Sequence, residues 1–256
     1  MKSIDLIILC YNESENIIPL TNSIFSTFKK AKELKCNVLW VDNGSTDESL
    51  NIIKKLCKKN KKIKCLSLSR NFGQQAAIHS GLLNSSSDYV CFMDGDQQDP
   101  PSDAFKMYKK IKKEKADVVY AVRTKRNENL FKKMCFYLFY KIWQLFSDIK
   151  VSANAGEFSL ITRQVANSIL SSKEFHRFNR GLRAWAGFSQ IPYYHERPRR
   201  KFGKDKSNFY QGLKLAVDGI LSFSLKPIRF VFFAGIFLSL ATLIIISLKF
   251  ITIFFR

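Results

Sequence analysis

Short, β-rich apolar runs alternate along the chain with longer amphipathic stretches. That alternation is the pattern of a parallel or mixed sheet with helices packed on its faces. It predicts strands over residues 4–10, 38–41, 63–68, 89–93 and 118–122. Helices are predicted over 17–34 and 76–83, with another following the second strand. Gly44 punctuates the loop after the second strand, and Ser45 or Thr46 is placed to cap the helix beyond it. The expectation is an α/β fold around one core, because 256 residues suffice for one sizeable domain and an appendage but not for two full domains.

The second half of the chain is patterned differently. Residues 130–146 set Lys132, Lys133, Lys141 and Gln144 on one helical face and Phe131, Leu138, Phe139, Ile142 and Phe146 on the other. Such a face suits either the headgroup boundary of a bilayer or the core of its own domain. A further helix is expected over about 208–225. Residues 228–248 carry no charge apart from Arg229, and their length matches the roughly 20 apolar residues that cross a bilayer. Lys226, Arg229 and the basic body precede this span, while only Lys249 and Arg256 follow it. The positive-inside bias therefore puts the body in the cytoplasm. Pro227 suits the first turn of the spanning helix.

Composition adds a charge argument. Lys and Arg number 42 against 21 Asp and Glu, a formal net charge of +21. Anionic partners are expected, and nucleic acid, acidic lipid headgroups and phosphorylated substrates all qualify on charge alone. Base-composition bias accounts equally well for many of the surface lysines. Cysteines at 10, 36, 57, 65, 91 and 135 form no CxxC pair and read as reduced, mostly buried thiols. The N-terminal apolar run of about seven residues is too short for the apolar region of a signal peptide.

The chemistry gathers at the ends of the strands. Tyr11, Asn12 and Glu13 follow the first, Asp42 the second, Arg70 and Asn71 the third, Asp94 and Asp96 the fourth, and Arg123 the fifth. Ligands of open α/β sheets bind at the carboxyl ends of strands, so five polar strand ends in succession point to one site. A lone DxD is weak, but here it follows a buried strand at once. Gly95 allows a tight turn, and Pro100 and Pro101 block continuation of any helix. Asp96 and the amide oxygen of Gln98 are hard ligands suited to Mg²⁺ or Mn²⁺ held partly by substrate phosphates. No GxGxxG follows the first strand and no GxxxxGK[ST] occurs, which disfavours dinucleotide oxidoreductases and P-loop nucleotidases. His79, His176 and His195 lie far apart and are expected to be structural.

The stretches LIILCYNESENI, VDNGSTDES, LSRNFGQQAAIHSGL, DYVCFMDGDQQDPP and VVYAVRTKR resemble the successive motifs of family-two glycosyltransferases with the GT-A fold. AGEFSLITRQV, NRGLRAWAGF, ERPRRKFGKDKS and DGILSFSLKPIR are similar to the branch that makes polyprenyl-phosphate sugars. The resemblance implies an inverting transfer from a nucleotide diphosphate sugar, UDP-glucose or a related UDP-sugar first, to undecaprenyl phosphate or a similar acceptor. It implies that Tyr11, Glu13, Asp42, Arg70 and Asp94 bind the nucleotide and that Asp96 and Gln98 bind the metal. Arg197 and Arg200 would close over the phosphates, and Arg123, assisted by Lys132 or Lys133, would meet the lipid phosphate. Glu157 joins Asp96 and these arginines in the catalytic set; the family usually writes Asp there, so its carboxylate stands one methylene further out. The loop GKDKS also lacks the usual Ser before Lys206. Members of the bacterial type commonly carry two transmembrane helices, against the one read here.

The division implied is a cytoplasmic catalytic domain over 1–205, a juxtamembrane helix over 206–227 and a transmembrane helix over 228–250. Membrane lipid is an expected partner and nucleic acid is not, while a homo-oligomer stays open. A processive polysaccharide synthase shares the fold and the DxD. It carries a QxxRW motif, however, whereas Arg180 to Trp185 here offers neither the Gln nor the Arg-Trp pair. A basic membrane-surface binding protein would not need acidic groups at its strand ends.

Overall fold

A computed structural model describes residues 1–31, 33–124, 155–172, 178–198 and 224–254, with a few isolated positions, Arg200 among them. The elements in chain order are β1 (Lys2–Cys10), α1 (Ser14–Lys29), β2 (Leu34–Asp42), α2 (Ser49–Lys59), β3 (Ile63–Ser67), α3 (Gln74–Leu83) and β4 (Tyr89–Asp94). There follow α4 (Pro101–Glu114), β5 (Val118–Arg123), β6 (Ala155–Thr162), α5 (Arg163–Ser171), α6 (Asn179–Trp185), β7 (Gln190–His195) and α7 (Lys226–Phe254).

The strands form one seven-stranded sheet in the order β3-β2-β1-β4-β6-β5-β7. All neighbours pair in parallel except β6, which runs antiparallel to β4 and to β5. Side chains alternate across a strand with period two, so each strand feeds two cores. Ile4, Leu6 and Ile8 of β1 and Val38 and Trp40 of β2 face the helices α1, α2 and α4. Ile7 and Val41 face the opposite way, toward Ala77, Ile78 and Leu82 of α3 and Val165 and Ile169 of α5. Burial on both faces is why these strands read as nearly continuous apolar runs.

The five predicted strands are all present, and two more complete the sheet. β6 was hidden because Glu157 and Ser159 interrupt its apolar run. β7 contains Pro192 and lies at the sheet's edge, where a missing ladder donor is tolerated. The first helix runs over Ser14–Lys29 and not as far as Leu34, which opens β2 after a turn in which its N–H donates to the Ala31 carbonyl, 3.1 Å away. Ser45 and Thr46 do not cap α2, which starts at Ser49. They instead tie β2 to β1: the Asn12 N–H donates to Ser45 Oγ at 2.9 Å, and the Thr46 N–H donates to Asn12 Oδ1 at 2.7 Å. The prolines after the DxD end the turn and also open α4, with Pro100 at its cap and Pro101 in its first turn.

Chain direction reverses its lateral progress between β1 and β4, which are neighbours although β2 and β3 intervene in sequence. That is the switch point at which open α/β sheets bind ligands. The antiparallel β6 brings its first residues to the same end of the sheet, so Glu157 arrives beside the carboxyl ends of β4 and β5. The long helix α7 has 29 residues and contains an 18-residue stretch of mean hydropathy 2.6, so it is apolar and long enough to cross a bilayer. The predicted amphipathic segment at 130–146 and the helix at 208–225 lie almost wholly outside the described residues, as do Lys132, Lys133 and Lys206.

Candidate active site

β1 and β4 deliver the acidic centre. Gly95 follows β4 and donates its N–H to the Leu9 carbonyl at 2.9 Å, so the DxD turn is pinned onto the end of β1. A Cβ at Gly95 would stand 2.7 Å from that carbonyl oxygen and 3.3 Å from the buried Trp40 ring. Only glycine lets the two backbones approach this closely. Asp94 and Asp96 are thereby set on either side of a fixed point. The Gln98 N–H donates to Asp96 Oδ1 at 3.0 Å, and the Asp94 N–H donates to Asp99 Oδ2 at 3.1 Å.

Two arginines from the segment after β7 close over these carboxylates. Arg197 Nη2 donates to Asp94 Oδ2 at 2.8 Å and lies 3.8 Å from Asp96 Oδ1, while its Nε lies 3.4 Å from Asp99 Oδ1. Arg200 Nη2 donates to Glu13 Oε1 at 2.6 Å and lies 3.4 Å from Asp96 Oδ2. The planar fork of arginine suits such bridging between oxygens. Gln98 Nε2 donates to the Pro198 carbonyl at 3.0 Å, which fastens the arginine-bearing segment to the turn.

The acids are crowded enough to perturb one another. Burial, reinforced by the charge of Asp94, raises the Asp96 pKa above its ordinary value despite the nearby arginines. Burial, again with Asp94, pushes Asp99 up to about 7. Perturbed carboxyls of this kind mark functional clefts.

The remaining predicted residues divide. Glu13 is buried, accepts from Asn16 Nδ2 at 2.7 Å as well as from Arg200, and so belongs to the arginine-capped cluster. Asp42, 1% exposed, ends β2 and accepts from the Ser45 N–H and the Ser67 hydroxyl, each at 3.4 Å. Tyr11 is half-buried at the end of β1. Arg70 lies on the exposed loop after β3 with its guanidinium 4.4 Å from the centre of the Phe72 ring. The backbone there approaches Gly44 so closely that a Cβ would meet the Arg70 carbonyl carbon at 2.4 Å, which keeps the loops after β2 and β3 together.

A cleft beside the acidic centre is lined by Asp94, Arg123, Glu157 and Arg197, with Ala121, Phe158 and His195 in its wall. Glu157 Oε1 accepts from Gln75 Nε2 and from Arg180 Nε, both at 3.0 Å. Sequence reasoning missed Asp99, Gln75, Arg180 and the cleft position of His195. The DGDQQD spacing could have drawn attention to Asp99; the other three are brought in by α3, α6 and β7, whose packing has no local sequence signature.

The donor set fits a hard divalent cation held jointly with substrate phosphates. Asp96 offers a carboxylate and the Gln98 side-chain oxygen is not the atom engaged with Pro198. Among the described residues no group of three or more His, Cys, Asp or Glu converges as a closed metal cage. Mg²⁺ and similar ions are commonly bound by one or two carboxylates plus phosphates in this way. The five described thiols are free, as expected; burial pushes Cys10 and Cys36 up to about 12.

Residues 5–170 match the family model described as glycosyl transferase family 2. The chain is 36% identical over 233 residues to a Bacillus subtilis protein named uncharacterized glycosyltransferase YkcC, covering 87% of this chain and 72% of that one. It is 30% identical over 237 residues to the bactoprenol glucosyl transferase of Shigella phage SfX, covering 92% and 76%. Among solved structures, glucosyl-3-phosphoglycerate synthase from Mycobacterium tuberculosis in complex with Mn²⁺, UDP and phosphoglyceric acid has a TM-score of 0.57 at 13% identity, covering 86% of this chain and 77% of that one. That likeness bears out the GT-A architecture of a mixed sheet flanked by helices.

Proposed function

The chain belongs to glycosyl transferase family 2, and from that premise we propose that it moves a sugar from a nucleoside diphosphate sugar to a polyprenyl phosphate, with inversion at the anomeric carbon. UDP-glucose is the first donor to test and undecaprenyl phosphate the first acceptor. The observation that carries this reading is an acidic turn under an arginine clamp that opens on a small cleft, where Arg123 and Arg197 face Asp94, Asp99 and Glu157. Asp94 and Asp96 lie under Arg197 and Arg200, and Arg123 lines the neighbouring space with Glu157. One half suits a metal-assisted diphosphate and the other a phosphate nucleophile.

In this reading Asp42, Glu13, Tyr11 and Asp94 hold the nucleoside, with Arg70 reaching from the adjoining loop. Asp96 and Gln98 hold Mg²⁺ or Mn²⁺, which when bound offsets the charge growing on the departing diphosphate. Arg197 and Arg200, which cap these carboxylates, would meet the diphosphate oxygens, for which bidentate guanidinium is well suited. The lipid phosphate is already anionic at neutral pH, so cations that hold and orient it matter more than a strong base. Arg123 is placed for this, with Lys132 or Lys133 as its assistants. Glu157, held by Gln75 and Arg180, borders the path between acceptor and donor and orients the sugar.

The names of the bactoprenol glucosyl transferase relatives and the apolar α7 support an acceptor that lives in a bilayer. We place the catalytic domain over 1–205 on the cytoplasmic face, followed by a juxtamembrane helix over 206–227 and a membrane span over 228–250. The test is to incubate membranes containing the protein with a panel of labelled nucleotide sugars and undecaprenyl phosphate, with and without EDTA. Metal-dependent labelling of the lipid by one donor is the expected result. Labelling of no lipid with any donor, or labelling untouched by EDTA, overturns the reading.

A further inference from the structure

The cleft beside the acidic centre contains a histidine that the catalytic scheme above does not use. His195 is the last residue of β7 and pairs in register with Arg123, the last residue of β5. Register partners on adjacent parallel strands project to the same face of a sheet. The cationic side chain assigned to the acceptor phosphate and this imidazole therefore stand side by side at one strand end, and both line the same cleft.

Behind the imidazole stands a carboxylate within ion-pair range, and His195 Nδ1 is buried with no hydrogen-bond partner among the described residues. Asp103, on the first turn of α4, has Oδ2 3.6 Å from His195 Nδ1, and its Oδ1 accepts from the Tyr193 hydroxyl at 3.0 Å and from Lys106 Nζ at 3.1 Å. The ring packs on Phe158, with centroids 5.7 Å apart. Its side chain is only 3% exposed. A His ring has two nitrogens on opposite sides, and turning Nδ1 to a carboxylate leaves Nε2 to face the other way. A purely space-filling residue at this position would need neither a nitrogen nor an acidic partner on α4, and the apolar core of the same face is already built from aliphatic and aromatic side chains.

We infer that His195, oriented by Asp103, is a further acceptor-binding residue that presents Nε2 to the phosphate monoester beside Arg123. The inference rests on the reading that Arg123 meets the acceptor phosphate. It adds a directional hydrogen bond from the imidazolium Nε2–H to one phosphate oxygen while Nδ1–H faces Asp103. Both nitrogens donate only in the protonated ring, so His195 adds its charge to that of Arg123. Asp103 is a positioning residue, since it acts only through the ring.

The experiment compares His195→Met and His195→Gln in the full chain reconstituted in membranes, with Arg123→Ala as reference. Methionine fills the space of the ring without a donor, and glutamine returns an N–H near the place of Nε2. The expected result is an acceptor KM raised about tenfold in His195→Met, as for loss of one hydrogen bond to a charged group. In His195→Gln it should stay within about threefold of wild type, and the donor KM should not change in either. Asp103→Asn should raise the acceptor KM by a smaller factor, again leaving the donor KM in place. An acceptor KM that is unchanged in His195→Met, or raised equally in the Met and Gln variants, overturns the inference and leaves His195 a packing residue. If Arg123→Ala also fails to move the acceptor KM, the acceptor site itself is misplaced; if Arg123→Ala alone moves it, only the role of His195 falls. Should His195→Met not accumulate as folded protein, the Gln and Asp103→Asn variants decide by the same acceptor-to-donor KM ratio.

Discussion

Replacing Asp96 with Asn separates the site's chemistry from its stability. The carboxylate lies 3.4 Å from Arg200 Nη2 and 3.8 Å from Arg197 Nη2. At an effective dielectric near 20, each contact is worth roughly 4–5 kcal/mol of attraction. Those attractions are opposed by burial and by the adjacent Asp94, and the opposition wins, because the Asp96 pKa lies above the ordinary carboxylate value. Removing the charge therefore relieves the folded state at neutral pH, and the Asn side-chain oxygen can still accept from the Gln98 N–H. The Asp96→Asn protein should melt no lower than wild type. Transfer is a different matter, because the same atom is assigned to the metal. Loss of one electrostatic group aimed at developing charge costs about 10²–10³ in kcat, or roughly 2.7–4 kcal/mol. The assay is labelled-sugar transfer to polyprenyl phosphate, run beside a thermal melt and a Mn²⁺ titration in the presence of UDP. Wild-type turnover, or wild-type Mn²⁺ affinity, would refute the metal role; a large fall in melting temperature would refute the electrostatic reasoning.

Gly95→Ala should lower both stability and kcat, since its Cβ would stand 2.7 Å from the Leu9 carbonyl oxygen; overpacking of this kind costs about 1–3 kcal/mol, readable in denaturant melts. Asp5 is a purely structural counterpart. Burial alone would raise its pKa, but hydrogen bonds from Ser87, Asn37 and Ser86 hold it below 3.8. Its contribution is thus present above pH 3.8 and lost as pH falls through the lower folded value. Asp5→Asn should cost about 1–3 kcal/mol near neutrality, because one amide oxygen keeps the Ser86 and Ser87 N–H bonds but the amide NH₂ then faces the Asn37 Nδ2 donor, and should flatten the acid limb of a stability–pH curve. Mn²⁺ and UDP added together, each at 100 times its Kd, should stabilise the protein by at least about 2.7 kcal/mol in a melt. EDTA should abolish that gain, and persistence of the gain in EDTA would argue against joint binding.

Much of this protein was legible along the chain. Short, nearly continuous apolar runs located β1 to β5, and the polar residues at their ends named Glu13, Asp42, Asp94, Asp96 and Arg123. The segment around Ile228 declared itself by length and lack of charge, and it is a 29-residue helix. These signals are local: a strand, its terminus or a spanning helix shows in neighbouring residues because backbone periodicity and solvent transfer act on neighbouring residues. The clamp could not be read in that way. Arg197 lies 103 positions from Asp94, and Arg200 lies 187 from Glu13. Their meeting depends on the antiparallel insertion of β6 between β4 and β5 and on β7 joining the far side of β5. The same order of strands sets His195 beside Arg123 and turns Glu157 toward the cleft. The sequence by itself therefore determined which chemical groups stand at the strand ends and that the chain is a sheet followed by a long apolar helix. Only tertiary structure decided which distant charges share a space, because strand order is settled by how both apolar faces are covered at once, and no short window of residues contains that condition.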